Sequence, residues 1–181
     1  PMLIAANKID VEGAEEHFEK LKKDFPKKKF VPCSAEAELA LRKAEADGII
    51  EYIPGDSDFK MLKADVPEKQ KKALEWVREH ILAKWKSTGV QEAINKTFFE
   101  LLNLIVVYPV EDATKWVSGK GNVLPDAHLL PNGATAYDLA VKIHSSFGER
   151  FIAAVDCRTG QKIGKETQLK NNDVVKIQLS H

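Results

Sequence analysis

Met2-Leu3-Ile4-Ala5-Ala6-Asn7-Lys8-Ile9-Asp10 is an apolar run that ends abruptly in a polar turn. A short continuous apolar run bounded by a turn reads as a buried strand of a parallel sheet. Asn7, Lys8 and Asp10 then stand beyond the C-terminal end of that strand, where open parallel sheets bind ligands. Downstream, Phe18, Leu21 and Phe25 fall on one side of an amphipathic helix. A second apolar strand, Phe30-Val31-Pro32-Cys33, follows and ends in Ser34-Ala35. Strand, helix and strand make one βαβ unit, expected to be right-handed.

Four polar residues after a strand are common in α/β proteins and carry little alone. The full order, strand, Asn-Lys-x-Asp, helix, strand, Ser-Ala, resembles the base-reading end of a P-loop GTPase. The resemblance implies that the Asp10 carboxylate accepts two hydrogen bonds, from guanine N1–H and the 2-amino group, a donor pair adenine lacks. It implies that Asn7 bonds the far edge of the base and that the Lys8 stem lies along its face. It further implies that the backbone N–H at Ser34-Ala35 reaches guanine O6. The phosphate-binding loop Gly-x-x-x-x-Gly-Lys-[Ser/Thr] appears nowhere in the 181 residues. The chain therefore reads as the C-terminal part of a GTPase, and alone it is not expected to hydrolyse GTP. Hydrolysis needs phosphate positioning and Mg²⁺, whose ligands are expected in a preceding part.

Lys and Arg number 27, and so do Asp and Glu, for zero net charge. That argues against a strong non-specific polyanion binder, because such affinity rests on phosphate neutralisation. No basic segment followed by an apolar one opens the chain, so no signal peptide is expected. The apolar stretch at Leu104-Ile105-Val106-Val107 is far too short to span a bilayer, so no membrane partner is expected. Cys33 and Cys157 read as separate reduced thiols of a cytoplasmic protein. His17, His80, His128, His144 and His181 show no metal-ligand spacing, and no metal site is assigned.

Three segments follow from the pattern. Residues 1–35 are a remnant of the GTPase domain, with parallel strands that cannot bury both faces alone. Residues 36–103 read as helical. Ala35 to Asp47 is rich in Ala, Glu and Leu and closes at Gly48. Glu51 to Asp56 reads as a loop, and Pro67 suits the first turn of a helix. Leu74, Val77, Ile81, Leu82 and Trp85 form an apolar stripe. Thr88 and Gln91 have capping-box spacing, ahead of a second stripe at Val90, Ile94, Phe98 and Leu101. Trp76 and Trp85 read as core or interface packing rather than stacking platforms.

Residues 104–181 change character. Strands are expected at Leu104–Val110, Ala127–Leu130, Phe151–Val155, Gln161–Ile163 and Val174–Leu179. Thr135 is a candidate N-cap for a helix carrying Leu139, Ile143 and Phe147. Ser118-Gly119-Lys120-Gly121-Asn122 lacks Walker spacing and reads as a hairpin rather than a phosphate loop. The order ββαβ(β)β is an α+β β-grasp pattern of ubiquitin-like size. The Pro131-Asn132-Gly133 turn, Ala134-Thr135-Ala136, Lys142-Ile143-His144 and Asn172-Asp173-Val174-Val175-Lys176-Ile177 make this segment resemble a TGS domain.

With Asn7-Lys8-Ile9-Asp10 upstream, the chain resembles the C-terminal portion of an Obg-related, YchF-type GTPase of the archaeal branch. Many members of that family carry a degraded base-reading motif and prefer ATP. Here Asn7 and Asp10 are both kept, so guanine preference is expected. The resemblance implies a translation-associated GTP-binding protein whose TGS domain docks on ribosome, tRNA or a protein. Lys142, Arg158, Lys162 and Lys165 are candidates for that face. Residues 104–181 hold nine basic and eight acidic residues, so a basic patch there must be local. The alternative is a non-catalytic TGS interaction module without nucleotide turnover. No carboxylate pair, Ser/His/Asp set or metal cluster points to independent catalysis.

Overall fold

The opening apolar run forms strand β1 (Leu3–Asn7), paired in parallel with β2 (Lys29–Cys33) in the computed structural model, which describes residues 2–180. His181 lies outside the described residues. The register runs from Leu3↔Lys29 to Asn7↔Cys33, so both polar loops leave the sheet at the same level. Helix α1 (Ala14–Asp24) connects the strands, with Glu15 and Glu16 in its first turn and Lys22 and Lys23 in its last. That charge order suits the helix dipole. Phe18 is buried, whereas Met2, Leu21 and Phe25 are exposed.

Residues 2–97 belong to one of two compact units. Its core is built on α2 (Ala35–Ala46) and α3 (Glu68–Val77), with Leu41, Ile50, Ile81 and Leu82 almost wholly buried. The stripe at Leu74, Val77, Ile81 and Leu82 packs as its spacing predicts, carried through a π-helical turn (Arg78–Leu82) into α4 (Ala83–Trp85). Within the helical segment 36–103 two short strands also form. Strands β3 (Ile50–Glu51) and β4 (Lys60–Met61) form a short antiparallel ladder, because Ile50 is anchored in the core and holds Glu51 in register with Lys60. The predicted capping box fails. Helix α5 (Val90–Asn95) is entered through Gly89 with no side-chain cap, and Thr88 is buried and engaged elsewhere. Ile94 is exposed, so the second stripe is not a core face: α5 lasts six residues before the backbone passes into a π-helical turn (Lys96–Leu101), which changes the period.

The second unit, residues 98–180, holds a five-stranded sheet. Its strands are β5 (Leu104–Pro109), β6 (His128–Pro131), β7 (Phe151–Asp156), β8 (Lys162–Ile163) and β9 (Asp173–Leu179), in the order β6-β5-β9-β7-β8. The β5–β9 pair is parallel and the others antiparallel, which is the β-grasp arrangement. Helix α6 (Ala136–Ile143) packs Leu139 onto Ile105, Val107, Leu130 and Val175. Thr135 and Asp138 form the reciprocal capping box at its start. The helix stops at His144, whose backbone is extended and whose Nδ1 accepts from the Ser146 N–H. Phe147 therefore sits on a separate helix, α7 (Ser145–Arg150), not on the expected continuous one. Ser118–Asn122 lies in the β5–β6 connection among single bridges at Asp112, Val117 and Val123, and no helix follows it.

With its own core, the fragment 104–181 is expected to fold alone. Limited proteolysis of the whole chain should spare this half, and urea unfolding of the fragment should be cooperative. Faster digestion of 104–181 than of 2–97 contradicts that boundary.

Candidate functional site

The two loops that end β1 and β2 are tied together by the residues the sequence singles out. The Ala35 N–H donates to Asn7 Oδ1 at 3.0 Å. With Oδ1 so engaged, the Asn7 Nδ2 group is the one left to donate. Lys8 takes a left-handed backbone, φ 72°, and its carbonyl accepts from the Val11 N–H. This sharp turn buries Ile9, whose N–H donates to the Cys33 carbonyl, and leaves Lys8 exposed and Asp10 half-buried. Among the described residues no hydrogen bond or ion pair engages the Asp10 carboxylate. Both of its oxygens stay available as acceptors.

Ser34 is fully buried, and its hydroxyl accepts from the Ala37 N–H as the N-cap of α2. Its side chain is thus committed to the helix start. What it presents to the loop is the backbone that carries the Ala35 amide.

Four residues outside the two motifs, Thr88, Glu38, Tyr52 and Gly89, hold this loop. The Ser34 N–H donates to the Thr88 carbonyl at 2.8 Å. The Thr88 hydroxyl donates to Glu38 Oε2 at 2.6 Å, and the Tyr52 hydroxyl donates to the same oxygen at 2.9 Å. Burial, then the Glu38 hydrogen bond, push the Tyr52 hydroxyl up to about 12, so it stays a donor. Gly89, with φ 79°, packs its α-carbon against the Pro32 carbonyl. The Ser87-Thr88-Gly89 signal in the sequence marks this clamp, but the Thr88/Gln91 spacing points to a helix cap instead. Burial and then Glu92 raise the Cys33 thiol to about 11, so it is a protonated packing residue.

The site residues do not converge on one cavity. Asn7 and Lys8 line a hollow of about 270 Å³ shared with Phe18 and Leu21 of α1. Asp10 and Ser34 line a separate one of about 360 Å³ against α2 and α3. A planar ligand that touches Asn7 and Asp10 together spans both hollows. Trp76, expected to pack in the core or at an interface, is 41% exposed and lines the second hollow. Trp85 packs as expected, edge-on to Phe18.

On the β-grasp unit, Lys142 is exposed on α6, Lys162 on β8 and Lys165 just beyond it. Lys165 Nζ stands 4.1 Å over the Tyr137 ring of α6. Arg158, in the β7–β8 turn, lies over Trp116 and donates to the Asn172 carbonyl. No contact joins Lys142 or Lys162 to the other two, so the four are spread over the helix, the edge strand and the turn. Among the described residues no group of three or more His, Cys, Asp or Glu can hold a metal ion, and no helix is long and apolar enough to cross a membrane.

A parallel strand pair with these two loops, in series with a β-grasp domain, defines an α/β protein of the P-loop GTPase class joined to a TGS domain. Residues 5–112 match the family model described as Obg-like GTPase YGR210-like, G4 motif-containing domain, and residues 120–178 match the TGS domain. The chain belongs to this Obg-like GTPase family. It is 47% identical over 178 residues to an uncharacterized GTP-binding protein of Methanocaldococcus jannaschii, a match covering 98% of this chain and 44% of that protein. An uncharacterized GTP-binding protein of Schizosaccharomyces pombe is 31% identical over 145 residues, covering 75% of this chain and 35% of the other. The crystal structure of a GTP binding protein from Pyrococcus horikoshii OT3 matches with a TM-score of 0.72 and 41% identity, over 99% of this chain and 46% of that one. The chain thus spans under half the length of these relatives.

Proposed function

We propose that this chain is the guanine-reading and TGS portion of a YchF-type GTP-binding protein of the cytoplasm. Asp10 accepts from guanine N1–H and the 2-amino group, Asn7 Nδ2 donates to the far edge of the base, and the Lys8 stem covers its face. Guanine O6 takes the Ala35 N–H in place of Asn7 Oδ1, and Ser34 holds the loop that carries this amide by capping α2. The observation that supports this most is the 3.0 Å bond from the Ala35 N–H to Asn7 Oδ1, which sets both motifs side by side. The names of the relatives, each a GTP-binding protein, support the same nucleotide. Phosphate contacts and Mg²⁺ belong to residues outside this set, and hydrolysis is an activity of the whole protein. Equilibrium binding of GDP and ADP to the intact protein tests the reading: guanine should be preferred, and equal affinities contradict it.

The TGS domain is the docking module, for ribosome or tRNA, with Lys142, Arg158, Lys162 and Lys165 as phosphate partners. Each phosphate neutralised adds to the salt dependence of binding. Reversing Lys162 and Lys165 to Glu should lower ribosome co-sedimentation and flatten its salt dependence by about two phosphate contacts' worth. Unchanged co-sedimentation contradicts the basic-face reading and leaves the nucleotide reading untouched.

A further inference from the structure

The hollow beside Asp10 has features that the two loop motifs do not explain. Its volume is about 360 Å³, and its walls come from both sides of the core. Its lining joins Asp10 and Ser34 to Ala37 and Ala40 of α2 and to Ala73 and Trp76 of α3. The ionisable groups in its lining are Asp10 and Glu36, both acidic. Such a lining repels phosphate and suits a planar group that presents N–H donors.

Trp76 is out of place for packing alone. Its helix neighbours Leu74 and Val77 are 3% and 5% exposed, whereas Trp76 is 41% exposed. Its ring is nonetheless held. His80 stacks on it at 4.9 Å with an interplanar angle of 9°, and His80 Nδ1 lies 3.1 Å from the Trp76 carbonyl oxygen. One indole face is covered by His80, which leaves the other face and the edge to serve the hollow.

We propose that Trp76 is a base-contacting residue that closes the guanine pocket on its Asp10 side, against the 2-amino edge. The inference rests on the guanine reading, in which Asp10 draws the N1–H and 2-amino edge to the mouth of this hollow. Truncation to alanine removes this wall and with it the contact to the 2-amino group. The contact is specific because the 2-amino group is the part of the base nearest the wall.

The test compares GDP with inosine diphosphate, which lacks the 2-amino group, on the intact protein by calorimetry. Trp76→Ala should raise the GDP dissociation constant about tenfold, or 1.4 kcal/mol, and change that for inosine diphosphate by less than twofold. Trp76→Phe should keep most of the GDP affinity while losing the change in tryptophan emission that GDP causes in the wild type. Equal weakening of both nucleotides by Trp76→Ala overturns the inference, since that is general loosening of the core. Unchanged GDP affinity, or a GDP-dependent emission change that persists in Trp76→Phe, overturns it while leaving the guanine reading intact. A wild type that does not prefer GDP over ADP overturns the guanine reading and this inference with it.

Discussion

Gly89→Ala is expected to destabilise residues 2–97 by about 2–5 kcal/mol. Two separate effects add. Gly89 sits at φ 79°, a left-handed backbone that costs an L-residue roughly 1–2 kcal/mol. A β-carbon there also falls within bonding distance of the Pro32 carbonyl oxygen and close to the Cys33 α-carbon. Both neighbours are backbone of β2, so neither can rotate away, and overpacking of this kind typically costs 1–3 kcal/mol, occasionally more. The strand must shift, and the shift is transmitted to the Ser34 N–H and Thr88 carbonyl bond next door. Denaturant unfolding of the variant measures the loss. The second signature is site-specific: guanine nucleotide affinity should fall even where the protein remains folded. A Gly89→Ala protein of wild-type stability contradicts the close approach described here.

Asp10→Asn is expected to weaken GTP at least tenfold and to improve XTP. Guanine presents two donors on this edge, and the Asp10 carboxylate offers only acceptors. Asparagine replaces one acceptor with an amide donor, which meets the 2-amino group head-on. Xanthine carries a carbonyl at that position, so the asparagine amide can donate to it while Oδ1 accepts from N1–H. A good bidentate contact discriminates bases by about 1–3 kcal/mol in nucleic-acid readout, and an unpaired polar group in a desolvated pocket exceeds a simple lost bond. Tenfold corresponds to about 1.4 kcal/mol, the low end of this range. Asp10 is half-buried and free of protein partners, so the substitution should leave the fold intact. Displacement of labelled GDP by XDP, wild type against variant, measures the exchange of preference.

The parts of this fold that were legible in sequence are those where one local signal suffices. The β1 run, the Ser34 and Thr135 starts of α2 and α6, and the alternating β9 strand each carry their own pattern and their own boundary. Asn7, Lys8, Asp10, Ser34 and Ala35 were singled out by their resemblance to GTPase base-reading motifs, and the register of β1 and β2 brings the two loops to the same level. What stayed hidden depends on long-range contact. Thr88 looks like a helix cap from spacing, yet its hydroxyl bonds Glu38, fifty residues away in sequence. Gly89 looks like a break between helices, yet its role is to admit the Pro32 carbonyl. Trp76 stands between Leu74 and Val77 of the apolar stripe but outside it, and its packing by His80 is not visible in the periodicity. The β3–β4 ladder is two residues long on each side, too short for any alternation to show.

The central claim is that Asn7-Lys8-Ile9-Asp10 and Ser34-Ala35 read guanine. The most direct measurement is a competition titration of GTP, ATP and XTP against a labelled guanine nucleotide on the intact wild-type protein. GTP should displace the label at least tenfold more effectively than ATP or XTP, since neither matches the donor pair facing Asp10. ATP competing as well as GTP, or better, contradicts it: the Asp10 carboxylate is then not the base reader.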